Sequence, residues 1–80
     1  MDIKELESKL KSANIRPDMY SLNGGLPNEA LCIGKSNGHW EVYYSERGNK
    51  SGLKTFKNEE DACQYFYNLL LSTLKNMNLL

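Results

Sequence analysis

Cysteine is scarce in this chain, with Cys32 and Cys63 the two thiols in 80 residues. Small secreted domains that depend on disulfides carry a denser framework, so the pair is read as reduced, mostly buried thiols acting as small apolar side chains. Histidine is scarcer still. His39 is the single imidazole, which leaves three Cys and His residues in all, whereas a zinc site takes about four ligands at recognisable spacing. No metal or other cofactor is expected. An excess of one charge is missing too, since ten Lys and Arg are matched by ten Asp and Glu. Nucleic acid is therefore not an expected partner: neutralising several phosphates takes a basic stripe, and Lys50, Lys54 and Lys57 run straight into Glu59, Glu60 and Asp61. Long hydrophobic runs are absent. Leu69-Leu70-Leu71 and Ala30-Leu31-Cys32-Ile33 are far below the ~20 apolar residues of a membrane span. Met1-Asp2-Ile3-Lys4-Glu5 has none of the apolar core of a secretory signal. The expectation is a cytoplasmic protein with no membrane contact.

These shortages also bear on catalysis, which needs acid, base or nucleophile groups within hydrogen-bond reach of one another. Cys32 can meet His39 only if the strand register allows it, and no orienting motif accompanies either residue. Gly24-Gly25 is followed by Leu26-Pro27, not by the Lys-Ser or Lys-Thr of a phosphate loop. No catalytic residue is assigned, and the chain is not expected to be an enzyme.

What is present is one domain, residues 1–80, since a chain of this length organises a single apolar core. Asp2 and Glu5 form a variant of the capping box, and Ile3, Leu6, Leu10 and Ala13 then recur at helical spacing. Asn14 and Pro17 end that helix, and Ile15 is expected to fold back on its end. Met19, Tyr20 and Leu22 form either a short strand or an ordered loop before the Gly24-Gly25 turn. Ala30-Leu31-Cys32-Ile33 is a short apolar strand, and Asn37-Gly38 is a strong hairpin signal. The return strand runs from His39 to about Ser45. Its parity puts Trp40, Val42 and Tyr44 on a core face and Glu41, Tyr43 and Ser45 on the other. A second turn is expected over Gly48–Gly52, before a third strand over Leu53–Phe56. Asn58 caps the last helix, with Glu59, Glu60 and Asp61 in its first turn. Ala62, Phe66, Leu69, Leu70, Thr73, Leu74 and Met77 mark its apolar stripe, flanked by Tyr65 and Tyr67, with Gln64 and Asn68 toward water.

The order helix, strands, helix predicts an α+β fold. An N-terminal helix and a C-terminal helix cover one face of a three- to four-stranded antiparallel meander, and the other face is open to solvent or a partner. On that open face Tyr43 beside Glu41 has the composition of a protein interface, where tyrosine and arginine are enriched. Glu46-Arg47, at the strand end, is either a local ion pair that fixes the turn or a pair of recognition charges. Tyr20, Glu41, Tyr43, Glu46 and Arg47 are the candidate partner-binding residues.

Three stretches carry a resemblance: Pro17 to Leu22, Gly24 to Glu29, and Trp40 to Gly48, with Gly52-Leu53-Lys54, Phe56 and Ala62-Cys63 fitting the same pattern. Together they resemble small single-domain immunity proteins of bacterial polymorphic toxin systems of the contact-dependent inhibition type. The resemblance implies a cytoplasmic protein that binds a cognate toxin domain and neutralises it stoichiometrically, without catalysis. The rival expectation is a small self-associating structural or regulatory module, such as a homodimer formed through an exposed sheet edge or face.

Overall fold

A computed structural model of the chain describes residues 1–78. Helix α1, Ile3–Ser12, is followed by a 3₁₀ turn, Pro17–Met19, and by strands β1 (Tyr20–Ser21), β2 (Ala30–Ser36), β3 (His39–Glu46) and β4 (Asn49–Phe56); helix α2, Glu59–Asn76, ends the succession. The fold is α+β, as the pattern of elements predicts. The Asp2 carboxylate accepts from the Glu5 N–H at 2.8 Å and caps α1. At the other end Asn14 takes φ 58°, the Asn14 N–H donates to the Lys11 carbonyl, and the Ile15 N–H donates to the Leu10 carbonyl. This is a Schellman ending, and its customary apolar contact is the buried pair Leu10 and Ile15. The Asn58 side chain accepts from the Asp61 N–H at 2.8 Å and caps α2. The two helix starts are joined directly, because the Ile3 N–H, an orphan donor of α1, reaches Glu59 Oε2 at 2.7 Å.

The four strands form one sheet in the order β1-β2-β3-β4. The meander is β2-β3-β4. Contrary to the purely antiparallel expectation, β1 runs parallel to β2, with Tyr20 beside Leu31 and Ser21 beside Cys32. A parallel neighbour cannot be reached by a tight turn. The chain makes the return through residues 22–29, which cross over the sheet. The second turn also differs from expectation. Arg47 and Gly48 take φ 50° and 78° and close a two-residue hairpin between Glu46 and Asn49, so β4 begins at Asn49 and not at Leu53. Two successive positive φ angles give the turn whose twist suits flanking strands. Gly52, at φ 64°, lies inside β4 at a bulge, where the register shifts from Val42 opposite Lys54 to Tyr44 opposite Ser51.

One apolar cluster binds the elements together. Leu31, Ile33 and Val42 from the sheet meet Leu6, Leu10 and Ile15 of the N-terminal part and Ala62, Cys63, Phe66, Leu70 and Leu74 of α2. Both helices lie on the same side of the sheet, with Trp40 and Phe56 packed against the cluster margin. Within the expected stripe of α2, Thr73 is exposed and Met77 is 55% exposed. Gln64 and Asn68 face solvent and bond each other at 3.2 Å.

Candidate functional site

The strand parity and the face that the two helices cover are as expected, but the other face is not wholly open. On the face away from the helices, Ala30, Cys32 and Gly34 of β2 stand beside Ser45, Tyr43 and Glu41 of β3. Residues 22–29 lie over part of this face. Tyr43 donates its hydroxyl to the Gly25 carbonyl at 2.6 Å, and Ser45 donates to the Pro27 carbonyl at 2.7 Å. The Gly24 N–H donates to the Ile33 carbonyl at 3.0 Å. The approach is close enough that a Cβ on Gly34 would come within 2.8 Å of Gly24 Cα. Tyr43 is therefore 2% exposed, a loop anchor, and its expected place on an open interface is corrected. The reason is tertiary, since small side chains on β2 let a distant segment settle on this face.

Beyond the loop the same face stays open and polar. Glu41 Oε1 accepts from Lys50 Nζ at 3.0 Å, and Oε2 lies 3.5 Å from His39 Nε2. The Lys50 hydrogen bond holds the Glu41 carboxyl below its ordinary range. Lys50 also stands over the Tyr43 ring, 4.7 Å from its centroid. The register sets Cys32 opposite Tyr43 and His39 opposite Ser36, so the backbones of Cys32 and His39 are offset by four residues of strand, or about 13 Å, and the imidazole lies against Glu41. Burial raises the Cys32 thiol above its ordinary pKa and pushes Cys63 up to about 11, so both remain protonated, weak nucleophiles at neutral pH. Among the described residues, no group of three His, Cys, Asp or Glu side chains is placed to hold a metal ion, and no helix is long and apolar enough to cross a membrane.

The helix side holds a different feature, a groove of about 430 Å³ lined by Met19, Glu29, Leu31, Tyr44, Leu70, Thr73, Leu74 and Met77. It lies where the C-terminal half of α2 passes over the end of the sheet. Tyr44, expected in the core, is 37% exposed along it. Burial first, and then the negative charges of Glu29 and Glu46, raise the Tyr44 hydroxyl pKa. Glu46 shares the face of Tyr44 by parity and is exposed, as is Arg47 at the hairpin tip. Among the described residues no ion pair joins Glu46 to Arg47, which removes the turn-fixing pair as an account of these charges.

The five expected binding residues thus do not form one patch. Tyr20, half-buried against the core, lies in the cross-strand row Tyr20, Leu31, Tyr44, Ser51, two strands away from β3, which carries Glu46 at its end. Glu41 sits on the opposite face, toward the far end of β3, and Tyr43 is enclosed. The groove escaped sequence reasoning although it had a signal. Thr73 and Met77 continue the apolar spacing of α2 past the point where the sheet can cover it. Comparison with known proteins finds no matching family model, curated protein or solved structure.

Proposed function

We propose that this chain is a cytoplasmic immunity protein that binds a cognate bacterial toxin domain stoichiometrically and neutralises it, with no catalysis of its own. The observation that supports this reading best is the β3–β4 hairpin tip. Arg47 there adopts φ 50°, a left-handed conformation that costs a residue other than Gly or Asn about 1 kcal/mol. An exposed guanidinium held at that cost, beside Glu46 and without an ion pair to it among the described residues, suits recognition of a protein surface better than turn formation. Arginine, tyrosine and methionine are the residues enriched at interface centres, and Arg47, Tyr44 and Met77 occupy this end of the molecule.

The test is co-expression with the product of the neighbouring gene, scored by growth rescue and by co-purification of an equimolar complex. Rescue with a stable complex is expected. An Arg47→Asn variant should fold at least as well as the parent and bind more weakly. Two folded proteins that give neither rescue nor complex would overturn the proposal. Self-association is the second reading, favoured by β4, an edge strand of exposed residues in which Leu53 is 47% exposed. Lys50, Lys54 and the Gly52 bulge are the features that natural edges use against such pairing, so the expected mass by light scattering is that of a monomer.

A further inference from the structure

We infer that the groove between α2 and the end of the sheet docks a segment of the protein partner that inserts an apolar side chain and carries a lysine or arginine beside it. This rests on the binding reading above and adds the chemistry of what is bound. Three features of the site lead to it. Much of its lining is aliphatic and adaptable: Leu31, Leu70 and Leu74 are buried there, and Met19 and Met77 are the more exposed apolar side chains. Methionine fills irregular gaps and recurs at binding surfaces that must conform to a partner. Its mouth is acidic, with Glu29 in the lining and Glu46 two residues beyond Tyr44 on the same strand face. Among the described residues neither carboxylate has an ion-pair or hydrogen-bond partner from a side chain.

The third feature is backbone strain. Glu29 takes φ 49°, where glycine or asparagine would sit more easily. The chain thus holds a carboxylate at the groove mouth in a conformation that a turn alone would fill with another residue. An occupant with an apolar body and a cationic neighbour answers both the walls and the mouth. An acidic segment seated in the groove would meet Glu29 and Glu46, Arg47 standing outside the lining at the hairpin tip, and a purely apolar one would leave the carboxylates uncompensated. Selection against like charge is how interfaces reject wrong partners.

The test needs no toxin, so it can fail or succeed independently of the immunity reading. The full chain carries methionines at positions 1, 19 and 77, and two of them line the groove while Met1 lies near the α1 start. With ¹³C-methyl methionine labelling, a synthetic peptide of alternating leucine and lysine is titrated against the protein. Saturable shifts are expected at Met19 and Met77 and not at Met1. Replacing Glu29 and Glu46 together by glutamine should raise the apparent Kd about three- to tenfold, and Met77→Lys, at an exposed position, should weaken binding while the domain stays folded. A peptide of alternating leucine and glutamate should give no saturable shift. Equal binding of both peptides, shifts at all three methionines, no shift at Met19 or Met77, or an unchanged Kd in the double variant would each overturn the inference.

Discussion

On the helix side of the sheet, Leu31, Ile33 and Val42 meet Phe66, Leu70 and Leu74 through broad apolar contact. On the other side, Ala30, Cys32 and Gly34 present almost no volume, and residues 22–29 are drawn down by the Tyr43 and Ser45 hydroxyls. The first face is held by area and the second by a few directed bonds over a floor of small side chains. A face held by area loses stability in proportion to what is removed from it. A face held by a close backbone approach fails when something is added. The two should therefore respond oppositely to changes of side-chain size.

The largest effect is expected on the helix side. Phe66 is fully buried, and Phe66→Ala should cost about 3–5 kcal/mol, comparable with the roughly 3–5 kcal/mol that a core of this size supplies. Far-ultraviolet circular dichroism at 25 °C should show a largely unfolded chain. A cooperative transition shifted only slightly would mean that α2 is not the main support. On the loop side the change must go the other way. Gly34→Ala adds one methyl against the Gly24 backbone and should cost about 1–3 kcal/mol, leaving the domain folded with residues 22–29 displaced. Amide exchange at Gly24, whose N–H donates to the Ile33 carbonyl, reports that displacement. Protection equal to the parent would show that the loop yields without loss.

Tyr43→Phe tests the directed bonds alone, because it keeps the ring under Lys50 and removes only the donor to Gly25. The expected loss is about 0.5–1.5 kcal/mol, with faster limited proteolysis inside 22–29. Ser45→Ala should act likewise through Pro27. Proteolysis confined to other segments in both variants would sink the anchoring role.

The difference between the faces also explains which parts of the structure were legible in the sequence. Local chemistry was: the Asp2 and Asn58 caps, the Asn14 stop with Ile15 folded back, the Asn37-Gly38 turn and the strand parity all depend on residues a few positions apart. Arg47-Gly48 was not, because arginine at positive φ runs against its own preference, and the glycine at 52, here a bulge, resembled the end of a longer turn. The parallel pairing of Tyr20–Ser21 and the enclosure of Tyr43 depend on where residues 22–29 come to rest. Parity assigns a side chain to a face without saying what lies on it. A signal existed in Ala30, Cys32 and Gly34, small residues at period two, which mark a strand that another backbone can approach closely. Of the five expected binding residues, Glu46 and Arg47 lie at the β3–β4 hairpin and Tyr20 in β1, while Glu41 and Tyr43 belong to the other face. The groove walls were not legible, because they come from segments far apart in the chain.

The smallest effect belongs to the uncovered end of the loop-side face, where a charge replaces the covering segment. Lys50 holds the Glu41 carboxyl below the ordinary 4.5, with burial acting against it. The folded protein thus binds this proton more weakly than the unfolded chain does. The stabilisation is fully present above the unfolded pKa and is lost as pH falls through the folded one. Lys50 is substantially exposed, so solvent and salt screen the pair. Glu41→Gln should therefore be slightly less stable than the parent in urea at about pH 7, and the two should converge as pH falls below the lowered folded pKa of Glu41. Added salt should narrow the gap at neutral pH. The cost of Tyr43→Phe should not vary over this range, since that hydrogen bond carries no titrating charge there. A Glu41→Gln deficit that persisted in acid would assign Glu41 a packing role, and would place the open end of this face under the same rule as its covered end.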